Sequence, residues 1–409
     1  MENKRRISFE FLIILFFTVC CILPAAYSSI PFYLMIAAYL FYIVYLFLKK
    51  DRIISKKEIL ILLGLIVYMA FIYTVLTDTT TISEEASNRE IKQFTSKLYQ
   101  YMNMFIPILF LDWATKRSNA FERKAIIGSG MVLMFYTMIT TIRELMVNAR
   151  IAREWTSFEE TAKENIAGYT FVYAIPFLLV LFVYLLKNFK KPYNKVLAVL
   201  AIAFQLYFIV LSQYTIALIM SIFGLLYMWY IKIKSRNIKI LFLIMLPIAV
   251  LAIPIIIKVL AARVPSEEIS IRLNEVYDFI TGSNKDGYNL NGRLNLYGKA
   301  IKAFLFSPII GNRTLDFDGH ATLLTVFART GLLGGIPFVL LLKNSKTAVN
   351  RYLGAEKRDY SPFWLMLLLM GFTNPIHSST SVMFVVLFLV PLTMKQMSIE
   401  RQEIDGKQE

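Results

Sequence analysis

The chain has 409 residues, 57% of them hydrophobic and 18% charged, with a formal net charge of +16 and a mean hydropathy of +0.57. Apolar runs long enough to cross a bilayer recur along its whole length, which argues against a water-soluble multidomain protein. The basic residues lie mainly between those runs, so they point to a membrane and its anionic headgroups and away from nucleic acid.

Backbone groups in lipid must be satisfied within their own segment, so each run is expected to be a helix. Twelve spans are predicted, at roughly 9–27, 31–48, 59–76, 99–113, 125–147, 166–186, 195–212, 213–231, 239–260, 321–342, 361–373 and 377–394. The first follows Lys4, Arg5 and Arg6 and ends at "PAAYSS", a layout like a signal peptide. It is long for one and is read as a retained helix. Cys20 and Cys21 lie within it; adjacent cysteines pair only with strain, so they are taken as small apolar fillers.

The connections alternate in basic character. The N-terminus, "KKDRIISKKE", "TKRSNAFERK", "KNFKKPYNK", "IKIKSRNIK", "KNSKTAVNRYLGAEKRDY" and the C-terminal tail carry the larger share of the 44 Lys and Arg residues. Such segments stay in the cytoplasm, which places both termini inside. Trp113, Trp229 and Trp364 fall at cytoplasmic helix ends, as in an interfacial aromatic belt. No internal repeat is visible. The expected fold is therefore an all-α polytopic membrane protein, a single integral-membrane domain over residues 1–409 in the cytoplasmic membrane.

On the other side, residues 77–98 and 148–165 read as polar loops, and 261–320 form one large extracytoplasmic loop between the ninth and tenth helices. A connection that long usually carries function. Within it "SIRLNEVYDFITG" and "GRLNLYGKAIKAFLF" read as amphipathic helices on the membrane face, and "SPIIGNRTLDFDGH" leads into the tenth span.

That entry holds His320, one of only two histidines. A helix beginning there points unpaired N–H groups and a positive dipole end outward, a setting that attracts phosphate. Arg293 and Arg313 are near in sequence, and arginine grips phosphate with a rigid fork. Arg329 lies about 12 Å into the tenth span at the helical rise. A charge at that depth costs roughly 2.5–3.5 kcal/mol on insertion scales and is normally turned inward. Thr322 and Thr325 share its face, and Gly331, Gly334 and Gly335 follow as close-packing residues. Arg143 and Lys258 lie near the outer ends of their spans and read first as snorkelling residues; Arg143, with Tyr136 and Thr140 on its face, is kept as a second ligand candidate.

Histidine is the side chain whose ordinary pKa lies nearest neutral, so His320 is the candidate for a general base on a hydroxyl nucleophile, while the arginines stabilise a departing phosphate. His377 reads as structural. The tripeptide Asp316-Phe-Asp has no third partner at a metal-binding spacing, so no metal is expected. No nucleotide motif is present, and no cofactor is expected.

The run "NGRLNLYGKAIKAFLFSPIIGNRT", with "GHATLLTVFARTGLLGG" after it, resembles the bacterial O-antigen ligase and polymerase family. That family's pattern is an Arg at a loop-helix start, an aromatic, P-x-x-G, a His at the tenth-helix start and G-L-x-G. The resemblance covers about 45 residues together with the arrangement of about twelve helices around a late outer loop. It implies metal-independent glycosyl transfer on the outer face of the cytoplasmic membrane, from a glycan carried on undecaprenyl pyrophosphate. By position Arg293 would hold the pyrophosphate and His320 would activate the acceptor. The family often has Ser-Arg where the seventh span meets the eighth; here Gln213 and Tyr214 stand in "SQYTIA" and would touch sugar, leaving Arg143 or Arg272 to replace the missing cation. Lys-, Ile-, Tyr- and Phe-rich usage favours a capsule or exopolysaccharide polymerase over a ligase, with a chain-length regulator as a further candidate partner. The rivals are a ligase-type transfer, a polysaccharide transporter or flippase, and a non-catalytic assembly scaffold.

Overall fold

The apolar runs form helices, and no strand occurs among the described residues. The computed structural model describes residues 7–50, 53–76, 84–147, 162–212, 214–241, 290–312, 321–374, 376 and 380–405, with scattered positions between 255 and 277. Among these, six helices are long and apolar enough to cross a membrane: Lys56–Val75, Ala120–Leu145, Tyr169–Asn188, Pro192–Leu211, Thr322–Arg358 and Thr380–Ile404. Shorter apolar helices occupy Phe9–Ile22, Phe32–Leu48, Ile216–Lys232 and Ser361–Thr373. Most of the predicted ninth span, 239–260, lies outside the described residues.

In chain order the elements are α1 (Phe9–Ile22), α2 (Pro24–Ser29), α3 (Phe32–Leu48), α4 (Lys56–Leu76) and α5 (Glu84–Phe105). A 3-10 turn at Ile106–Leu109 leads to α6 (Phe110–Lys116), then α7 (Ala120–Leu145), α8 (Ile175–Asn188), α9 (Pro192–Leu211) and α10 (Thr215–Lys232). After them come α11 (Leu290–Phe306), α12 (Thr322–Leu353), α13 (Ser361–Thr373), α14 (Thr380–Phe384), a π turn at Val385–Leu389 and α15 (Val390–Asp405).

Local chemistry sets several boundaries. Asn119 caps α7 in a reciprocal box with Glu122, and the same Glu122 carboxylate accepts the Ser8 N–H at 2.7 Å, tying α7 to the start of α1. Prolines stand in the first turns of α8, α9 and α13, where the missing N–H has no helical partner to lose. Gly354, at φ 65°, terminates α12.

The centre of the bundle is the last helical stack. Residues Val382–Val390 are fully buried, as expected of a helix apolar all round. Pro391 explains the π turn within it. The Val390 N–H bonds back to Val385 O, and the next donor that would serve Val386 O is absent from proline. The Tyr360 hydroxyl, wholly buried on the approach to α13, donates to that carbonyl at 2.9 Å.

Trp113 and Trp364 are interior residues, exposed by 0% and 5%, while Trp229 is 56% exposed. The belt reading therefore fits Trp229 alone. The other two rings lie on helix faces turned into the bundle, where burying a large aromatic surface outweighs an interfacial position.

Ion pairs gather the basic segments at one end of the bundle. Arg117, on the cap of α6, bonds Glu10 and Asp112, each at 2.8 Å, and both carboxylates are buried. Asp112 also accepts the N–H groups of Ile53 and Ile54. Arg351 pairs with Glu58 at 2.8 Å and Lys232 with Asp359 at 2.7 Å. Each pair joins chain segments that the Lys/Arg pattern assigned to the same side.

Candidate functional site

At the opposite end of α4 from Glu58, the first half of α12 is interrupted. Gly331 has φ 57° and ψ −151°, a conformation essentially confined to glycine. The interruption frees backbone groups on both sides, and one segment of chain satisfies them. Leu332 and Leu333 donate to the carbonyls of Pro308 and Ile309 at 2.8 and 3.1 Å, and Asn312 donates to Ala328 O at 2.8 Å. The two backbones cross in direct contact. A Cβ on Gly331 would stand 2.3 Å from Ile309 O, and one on Gly311, itself at φ 75°, 2.3 Å from the Arg329 carbonyl carbon. The run Pro308–Gly311 and the run Gly331–Gly334, separate motifs in the sequence, are thus two sides of one contact.

The segment that makes this crossing directly follows α11. Ala300 and Ala303 pack with Ala328, and the Tyr297 hydroxyl donates to Thr373 O at 3.1 Å. Next along the chain, Asn374 O accepts from both the N–H and the hydroxyl of Thr322 at the start of α12. Lower numbers in α11 therefore lie beside lower numbers in α12, so the two helices run parallel. The sequence "GRLNLYGKAIKAFLF" was expected to lie on the membrane face; it packs instead along α12 and reaches down to its break.

Arg329 occupies the last turn before the break, where a helix C-terminal end favours a cation. Its guanidinium centre lies 5.9 Å from the centre of the Tyr73 ring on α4. Lys97 of α5 meets the same ring, its Nζ 4.3 Å from the centre, and donates to Gln100 Oε1 at 3.1 Å. Tyr73 is 8% exposed and both cations are half-buried. Lys97 precedes the apolar part of its helix. Burial, with the charge of Arg329 added, pushes its ammonium down to about 8. One turn further on, Tyr101 packs edge-on against Phe338, as does Phe105, forming an aromatic underside.

The other anticipated residues are placed as follows. Arg293 falls in the first turn of α11, at the end of the bundle where α12 begins directly after His320 in sequence; its side chain, and His320, Arg313, Arg272 and Gln213, lie outside the described residues. Tyr214 caps α10 and is half-buried against Tyr173, ring centres 5.5 Å apart. Arg143 is exposed in the last turn of α7, a helix packed on α1, α9 and α15. It does not join Arg329, whose ring partner is on α4. The Thr140 hydroxyl beside it is committed to Asn165 O at 2.8 Å. No cluster of three metal-ligating side chains occurs among the described residues.

Sequence reasoning missed Lys97 and Tyr73. The polar segment 77–98 was read as a loop, whereas α5 begins at Glu84. The signal was present: Ile91, Phe94, Leu98, Met102 and Phe105 recur at helical spacing, and Phe94 and Leu98 pack against the core. No protein-family model matches the chain, and no curated protein is significantly similar to it.

Proposed function

We propose that this protein is a polysaccharide polymerase of the cytoplasmic membrane, joining repeat units carried on undecaprenyl pyrophosphate at the outer face. In this reading the chain crosses twelve times with both termini inside, and the end that gathers the basic segments faces the cytoplasm. The observation that carries the reading is the placement of Arg329 and Lys97. They share Tyr73, fifteen residues along α4 from Glu58, which at the helical rise is about 22 Å from the Glu58–Arg351 pair. Half-buried cations that far from the cytoplasmic end suit anionic chemistry at the outer interface.

The reaction needs no external energy source. An acceptor hydroxyl oxygen attacks the anomeric carbon of the donor sugar as the bond to the diphosphate oxygen breaks. The diphosphate leaves with the electron pair, held by Arg293, and the hydroxyl proton passes to His320.

The broken α12 favours a second reading, a transporter of lipid-linked glycan, because such proteins use interrupted helices. Against it, the N–H groups of Leu332 and Leu333 at the break are taken by protein carbonyls, so the half-helix end is filled.

Purified protein in detergent separates the two, since a detergent micelle has no sides to transport between. Incubation with lipid-linked repeat units is expected to yield a ladder of longer glycans and free undecaprenyl pyrophosphate. His320→Ala is expected to abolish the ladder, and Arg293→Ala to weaken donor binding. Absence of any elongation by the wild-type protein, or normal elongation by His320→Ala, would overturn this mechanism.

A further inference from the structure

The Tyr73 site has a feature that glycan transfer by His320 and Arg293 does not use. Two cations from elements far apart in sequence, α5 and α12, converge on one buried ring. The two ring distances bring the charges within about 10 Å of each other. Like charges brought together in a half-buried place raise each other's energy, and an anion between them reverses that sign. Among the described residues, Lys97 meets the neutral Tyr73 ring and the Gln100 amide oxygen, and neither carries a negative charge. An ammonium has three donors, so it has capacity for a ligand.

We propose that Lys97 and Arg329, which both meet Tyr73, together bind a diphosphate group. A diphosphate presents oxygens on two phosphorus atoms, so it meets both cations at once through charge-assisted hydrogen bonds. The lysine contributes a compact charge with rotatable donors, and the arginine a planar fork. The break at Gly331 gives Arg329 its position, since the helix ends one residue after it and the Ser307–Asn312 segment closes the gap. This inference deepens the proposed function by giving the donor's diphosphate ligands besides Arg293.

The test uses the full chain in lipid nanodiscs, titrated separately with inorganic pyrophosphate, inorganic phosphate and undecaprenyl pyrophosphate. Wild-type protein is expected to bind pyrophosphate more tightly than phosphate. Lys97→Gln and Arg329→Gln are each expected to weaken pyrophosphate binding about tenfold or more, the scale of one lost charged hydrogen bond. Lys97→Arg, which keeps the charge, is expected to recover most of it, and this rescue separates a binding role from a folding defect. Binding of the lipid with the same dependence on Lys97 assigns the site to the headgroup; binding of the inorganic ion alone assigns it to a free diphosphate. Pyrophosphate affinity unchanged in Lys97→Gln overturns the inference, even where that variant still polymerises and the functional reading stands. Conversely, Lys97-dependent diphosphate binding by a protein that elongates no glycan sinks the polymerase reading and leaves this site intact.

Discussion

Pro391 shows how one residue propagates through the core. Its missing N–H leaves Val386 O without a helical donor, and the Tyr360 hydroxyl, from the turn that leads into α13, fills the vacancy at 2.9 Å. Tyr360→Phe keeps the ring and removes only that donor, so a buried carbonyl loses its partner. The expected cost is about 1–3 kcal/mol, read as a lower unfolding temperature in detergent with no change in helix content by circular dichroism. An unchanged transition would mean that the carbonyl finds another donor. The proline was visible in the sequence; its partner was not, because Tyr360 and Val386 meet only when α13 folds back against the last helix.

At the scale of elements, α12 is the instructive case. The sequence marked "GLLGG" as small residues for close approach, and close approach is what happens, but by backbone crossing at a break rather than by two smooth helices. A glycine alone does not decide between the two outcomes. The break persists because Pro308, Ile309 and Asn312 supply the hydrogen bonds that the interruption removes. Gly331→Ala puts a methyl group 2.3 Å from Ile309 O in a backbone conformation that suits glycine alone. It is expected to destabilise by at least about 1–3 kcal/mol and to loosen the α11 end. Hydrogen exchange checks this: the amides of Leu332 and Leu333 should lose protection before those of α15, and uniform protection would contradict the crossing as a local unit. The helix α5 went unread for a different reason. Its apolar face is narrow and its remaining surface strongly polar, so a search for continuous hydrophobicity passed over a periodic pattern.

Across the whole molecule, the arrangement of charge makes an orientation prediction. Arg351–Glu58, Lys232–Asp359 and the Arg117 cluster lie at the end assigned to the cytoplasm. The two native cysteines are free and buried, so an introduced cysteine reports with little background. Val147→Cys, at a position 84% exposed beyond α7, should react with a membrane-impermeant maleimide on intact cells. Lys346→Cys, exposed on the far part of α12, should react only after permeabilisation. The reverse pattern would invert the protein and put Arg329 and Lys97 near the cytoplasm, removing the basis for chemistry on the outer face.

Hydrophobic run length and the alternation of basic connections determined by themselves that this is a helical membrane protein, because lipid imposes those constraints segment by segment along the chain. Arg329 stood out for the same reason, as a charge inside an apolar run. Its setting was decided only in three dimensions: the break at Gly331, the parallel docking of α11, and the meeting of Arg329 with Lys97 over Tyr73. Each depends on contacts between residues far apart in the chain, and no local pattern of hydrophobicity or charge encodes which distant partner a side chain will meet.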